Sequence, residues 1–192
     1  MKVKYIVALL LALTFAQGFI IASLKSRTID EVSFHLSSGY HYLTTGRWEI
    51  GIHNPPLSAT LASIPLLFVK DKSTFDKFDR GSVSDYLNGK PGIFPKRLLL
   101  VSRLVPLIFM TLLGYFVFLW AKDLYGVQSG ILALFLYSFS PNILSFGSLI
   151  TADIGGVLFI FLSIYSFWKY IKKPTKKTLL IAGMCFGLAQ VT

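Results

Sequence analysis

The chain is poor in charge. Of its 192 residues only 15% are Asp, Glu, Lys or Arg, against 54% hydrophobic, whereas a soluble domain carries about 25% charged residues. That shortage excludes an ordinary water-soluble fold and points to a membrane protein, as does the mean hydropathy of +0.63. Cysteine is almost absent: Cys185 stands alone inside an apolar run, which excludes a disulfide framework and any clustered cysteine metal site. Acid is scarce too, with nine Asp and Glu against 19 Lys and Arg, a net charge of +10. The bases lie in loops between long apolar runs, a pattern of topology signals and not of a nucleic-acid patch. There is no internal repeat and no low-complexity tract.

What is present is a series of apolar runs. The first, Tyr5 to Leu24, has 20 uncharged residues, enough to cross a hydrocarbon core of roughly 30 Å at about 1.5 Å per residue. A signal peptide is the rival reading, but the apolar stretch resumes after Gln17 and Gly18, which favours an uncleaved anchor over 1–24. A polar segment over 25–97 then holds seven of the nine acidic residues and all three histidines. Inside it, 57–69 is apolar but too short to span, and reads as an interfacial or re-entrant helix. Residues 70–96, with Gly81, Gly89, Pro91, Gly92 and Pro95, read as irregular loop.

Further spans are expected over 98–120, 124–147 and 151–168, with Ser140, Pro141 and Asn142 ending the third helix in a short loop. A basic loop over 169–177 follows. The last run, 178–192, has 15 residues and reaches only about 22 Å. The expected fold is therefore an all-α integral membrane bundle with four complete transmembrane helices and a truncated fifth, an N-terminal fragment. Lys2, Lys4, Lys122, Lys169, Lys172, Lys173, Lys176 and Lys177 share one side, while the short loop around Pro141 to Ser148 has no base. The positive-inside rule then makes the N-terminus cytoplasmic and the long segment extracytoplasmic, at the cell membrane.

Ionisable residues at membrane edges are functional candidates. Asp30 and Glu31 follow the first helix by about one turn, and α-helical spacing would place Glu31, His35, Ser38 and Tyr42 on one face. Asp30 near a helix start is also what the helix dipole alone would favour. Asp153 opens the fourth helix, either as a site residue or, with Thr151, as a cap. Arg103 is the matching cation, or a snorkelling side chain. His35, His41 and His53 have no metal-ligand spacing, so zinc would require tertiary folding, and a divalent metal is left open. Trp48 with Tyr40 or Tyr42 could stack on a sugar or belong to an interfacial aromatic belt.

The stretch Asp30-Glu31-Val32-Ser33-Phe34-His35-Leu36-Ser37-Ser38-Gly39-Tyr40, then Gly46-Arg47-Trp48 and His53-Asn54-Pro55-Pro56-Leu57, resembles the first outer loop of the polyprenyl-phosphate-sugar glycosyltransferases. That group includes the protein O-mannosyltransferases (family 39-like) and the aminoarabinose transferase of lipid A. Ser102-Arg103-Leu104-Val105-Pro106 and the run Ser140 to Asp153 also look like this family.

The resemblance implies a C-type glycosyltransferase fold, with Asp30 of the Asp30-Glu31 pair as catalytic base and inversion at the sugar. It implies a polyprenyl-phosphate-linked sugar donor and a protein, lipid or glycan acceptor, with membrane lipids around the chain and no nucleic acid. Arg103, Lys96 and Arg97 are the cations available for the donor phosphate. At His53-Asn54 the chain departs from the acidic residue followed by a basic residue or His that relatives often place before Pro-Pro-Leu, which leaves Asp153 or Glu49 as the carboxylate to compensate. Later helices of the family would be needed for activity. A transporter fragment or a non-catalytic membrane module are the readings from other classes; a transporter would place ionisable groups near mid-membrane.

Overall fold

The computed structural model describes residues 3–49, 54–68 and 96–192. His53 and almost all of the 70–96 loop, together with Val69, lie outside the described residues. Those described form helices and turns only, as an apolar medium requires, because a helix satisfies its own backbone. In chain order they are α1 (Val3–Leu24), a π-helical segment (Asp30–Leu36), α2 (Ser37–Thr45), α3 (Pro56–Ser63) running into a 3₁₀ turn (Ile64–Phe68), α4 (Lys96–Ser102), α5 (Leu104–Tyr125), α6 (Val127–Ser138), α7 (Pro141–Gly147), α8 (Asp153–Lys172) and α9 (Lys176–Gln190).

Three of these are long and apolar enough to span: Val3–Leu24, the nearly continuous Lys96–Tyr125, and Asp153–Lys172. A fourth exists if α6 and α7 count as one span bent by 63°. The chain is an all-α integral membrane protein. The bend corrects the expected short loop after Ser140, since 141–147 is helical. Pro141 has no N–H to give the Tyr137 carbonyl, which instead accepts Ser140 N–H at 3.1 Å; the helix restarts with Leu144 N–H on Ser140 O. Pro106 likewise cannot donate to the Ser102 carbonyl, and α4 passes into α5 through a single non-helical residue, Arg103.

The bundle core lies between α1, α5, α6 and α8. Val7, Leu10, Leu107, Met110, Leu113, Leu134, Ile154 and Leu158 meet there, while Leu9, Ile20, Ile160 and Phe167 on the opposite faces stay exposed, as lipid-facing residues do. Polar ties cross this core: Thr14 Oγ1 donates to Ser138 Oγ at 2.8 Å, and Tyr137 OH to the Met110 carbonyl at 2.7 Å. Such bonds contribute about 0.6 kcal/mol each within a bilayer.

A second, smaller cluster of Leu36, Ala62, Leu66, Leu99 and Ile150 seats the segment after α1 on the end of the bundle. There α2 and α3 pack at close range, because Gly39 lies directly against the Ala59 carbonyl and Ser63 Oγ. Ser63 Oγ donates across to the Leu36 carbonyl at 3.0 Å. Gly46, at φ 72°, ends α2 in the left-handed conformation that glycine adopts without strain.

Gly39→Ala places a methyl group into that backbone contact and is expected to destabilise the protein by about 1–3 kcal/mol. Gly183→Ala, where a methyl group meets open space, should be neutral or gain up to about 1 kcal/mol from helix propensity. Thermal unfolding of the two variants in detergent reads the difference directly.

Candidate functional site

The chain leaves α1 through Lys25 to Ile29 and turns into the π-helical segment at Asp30. Thr28 and Glu31 secure this start reciprocally: Thr28 N–H donates to Glu31 Oε2 at 3.1 Å, and Glu31 N–H to Thr28 Oγ1 at 3.3 Å. This is the pattern of a capping box, and the Thr-x-x-Glu spacing from Thr28 to Glu31 was its signal in the sequence. The Thr28 hydroxyl also lies 3.1 Å from Glu31 Oε2.

Glu31 is fully buried beside Arg103, which is 1% exposed. Arg103 Nε donates to Glu31 Oε1 at 2.8 Å and Nη2 to Oε2 at 2.7 Å, a bidentate pair. The remaining guanidinium hydrogens go to the carbonyls of Ala22 (2.6 Å), Lys25 (3.0 Å) and Ser26 (2.9 Å). Ile150 N–H, from the turn before α8, adds a bond to Oε1 at 3.1 Å. A guanidinium has five N–H donors and all five are used, so none is left to hold the donor phosphate expected of Arg103. The Glu31 carboxylate is equally occupied. Burial pushes its pKa up, but the bonds from Arg103, Ile150 and Thr28 outweigh this and hold the group below the usual carboxylate range.

Beside this pair opens a cleft of about 290 Å³ lined by Asp30, Phe34, His35, Asn54, Thr151, Ala152 and Asp153. Four sequence candidates, Asp30, His35, Asn54 and Asp153, thus come together there. The π-helical winding decides which residues face it. It turns Asp30, Phe34 and His35 toward the cleft and Glu31 toward Arg103. The expected α-helical face is therefore only partly realised, since Glu31, His35 and Ser38 are buried but Tyr42 is exposed and meets Trp48 edge-on at 5.6 Å.

Asp30 is exposed and makes no hydrogen bond or ion pair among the described residues. The same holds for Asp153, and no side chain caps the start of α8. The expected cap is thus not formed. Thr151 Oγ1, buried at the cleft wall, has no hydrogen-bond partner among the described residues. His35 is 7% exposed; burial lowers its pKa, while the Asp30, Asp153 and Glu31 carboxylates oppose the shift without reversing it. It is therefore neutral at pH 7, with one ring N–H and one acceptor nitrogen.

The other candidates lie elsewhere. Lys96 and Arg97 are exposed at the start of α4, and Glu49 sits in solvent within 3.7 Å of Arg47 and His41. No group of three His, Cys, Asp or Glu among the described residues is placed to hold a metal ion.

The sequence pattern of the dolichyl-phosphate-mannose-protein mannosyltransferase family matches residues 93–192, just over half of the chain. The chain belongs to that family. No curated protein and no solved structure matches it. Membership of the mannosyltransferase family implies, at the family level, a membrane glycosyltransferase with a polyprenyl-phosphate-linked sugar as donor and a protein as acceptor. The matched part carries Lys96, Arg97, Arg103, Thr151 and Asp153, and the segment with Asp30, Glu31, His35 and Asn54 precedes it.

Replacing one member of the buried pair strands the other, so Arg103→Leu and Glu31→Gln should each cost about 3–5 kcal/mol of stability. The joint replacement by Leu should cost clearly less than their sum, as a double-mutant cycle on unfolding would register. Because the folded pKa of Glu31 is lowered, its contribution is complete above the ordinary value of 4.5 and is lost as pH falls through the folded value. His35, also lowered, adds a loss of the same sign that begins below its ordinary 6.5. Melting temperature should therefore fall on acidification from pH 7 to 4, and Glu31→Gln should flatten the lower part of that curve.

Proposed function

We propose that this chain builds the acceptor-activating end of an inverting glycosyltransferase, acting on a polyprenyl-phosphate-linked sugar at the extracytoplasmic membrane surface. The observation that carries this reading is the unpaired Asp30 carboxylate, exposed in a cleft and mounted on a backbone clamped by its neighbour Glu31. A general base needs a free lone pair and a defined position, and Asp30 has both. Glu31, with every lone pair engaged, has only the second.

In the reaction the acceptor hydroxyl enters the cleft and Asp30 takes its proton as the oxygen attacks the anomeric carbon. The new C–O bond forms on one face while the bond to the lipid phosphate breaks on the other, and the phosphate leaves with the electron pair. Phosphate is a stable anion, so cations matter more for its departure than a general acid. With Arg103 fully engaged, the cations left for that role from the sequence reading are Lys96 and Arg97, which are exposed at the start of α4 and do not line the cleft itself. Asp153, Asn54, neutral His35 and the unpartnered Thr151 hydroxyl line the same cleft as Asp30 and offer hydrogen-bond groups for sugar hydroxyls. Arg103 acts through Glu31, as a positioning residue.

The test is transfer of mannose from polyprenyl-phosphate mannose to an acceptor peptide, in membranes carrying the protein. Asp30→Asn keeps the shape and removes the proton acceptor, and should reduce kcat by about 10² or more at unchanged protein level. Near wild-type turnover would remove Asp30 from the reaction. Asp153→Asn should act differently, raising KM more than it lowers kcat.

A further inference from the structure

The cleft does not use the other end of the bundle, where Lys172, Lys173, Lys176 and Lys177 stand close together in sequence and exposed. From Asp153 to Lys172, α8 rises about 30 Å, so its last turn is a membrane thickness away from the cleft. There Asp123, near the end of α5, accepts from Tyr165 OH at 2.8 Å and pairs with Lys169 Nζ at 2.8 Å. The Trp120 ring packs against Phe161 at 5.1 Å and Tyr165 at 5.7 Å, and Trp168 stacks on Tyr165 at 6.1 Å. Lys172 Nζ lies over the Trp168 ring at 4.9 Å. Indole and phenol rings in such a band settle at the headgroup level of a bilayer.

Next to this band Lys172, Lys173, Lys176 and Lys177 are all exposed on the α8–α9 connection. Beyond Arg103 the chain has only two carboxylates; Asp123 is committed to Lys169, and Asp153 is at the far end. The four lysines therefore have no acid of this chain beside them among the described residues. They flank the start of α9, whose dipole adds partial positive charge. The connection is short and ordered: Thr178 Oγ1 donates to the Lys173 carbonyl at 2.9 Å, and Thr175 and Thr178 form a capping box.

We propose that this lysine-rich connection, seated by the Trp120, Tyr165 and Trp168 band, is a docking surface for the phosphodiester headgroups of acidic membrane phospholipids. The occupant follows from charge complementarity and depth: the bases stand at headgroup level immediately beyond a spanning helix, where acidic lipid is the anion within reach. A surface of this kind anchors one end of the bundle while the opposite end carries the cleft.

The test uses the protein in nanodiscs of equal parts phosphatidylglycerol and phosphatidylcholine, released and weighed by native mass spectrometry at 150 mM ammonium acetate (roughly physiological ionic strength). The wild-type protein should retain phosphatidylglycerol in preference to phosphatidylcholine. Changing Lys172, Lys173, Lys176 and Lys177 together to Gln should reduce that preference by at least about tenfold, given about fivefold per lysine at a membrane surface. Changing the same four to Arg should preserve it, and Arg47→Gln near the opposite end should leave it unchanged. Equal retention of the two lipids by the wild-type protein, or full retention of phosphatidylglycerol by the four-Gln variant, would overturn the proposal.

Discussion

The buried pair of Glu31 and Arg103 is the constraint on which the rest of the cleft depends. Its eight side-chain hydrogen bonds are shared among the end of α1, the capping turn at Thr28, the α4–α5 junction and the turn before α8. An ion pair taken out of water contributes little net stability compared with apolar residues of the same shape, because desolvation offsets most of the Coulomb gain. Breaking one side of it, however, leaves a bare charge in a dry interior. The pair is thus weak as a source of stability and strong as a source of position, since any displacement of the four segments strands a donor or an acceptor.

Adjacent carboxylates consequently have opposite fates. Glu31 gives up its lone pairs to hold the backbone, and Asp30, one residue earlier, keeps its own free at the cleft. The π-helical winding makes this separation sharper by turning Asp30, Phe34 and His35 together. Proline completes the arrangement from the other side: the break at Pro141 tilts α7 by 63° and lets the chain return through Ile150 and Thr151 to bring Asp153 to the same cleft.

The apolar medium explains why so few polar groups suffice. Inside the bundle, helices satisfy their own backbone, and a handful of bonds such as Thr14 to Ser138 link neighbours. Charge is left for the two ends. One end carries acids and a neutral histidine around a cavity, the other a lysine surface over aromatic rings, and their separation follows from the length of α8.

The sequence by itself determined the class of protein: long uncharged runs and scarce acid demand membrane helices, and Lys25, Lys122 and the lysines from 169 onward bracket them. It also carried the family, in the layout of its motifs. What it could not convey is what becomes of individual side chains. Arg103 reads as a spare cation until its partner is found 72 positions away, with three backbone carbonyls that no residue type announces. The spacing of Glu31, His35, Ser38 and Tyr42 assumes 3.6 residues per turn, and the wider π-helical turn breaks that assumption before Tyr42. Asp153 looks like a cap because it stands at a helix start, yet the cap is not formed and the side chain faces the cleft. Periodicity is a property of one segment in isolation. Which donor meets which acceptor is decided only when four segments close on a dry interior that tolerates no unpaired charge.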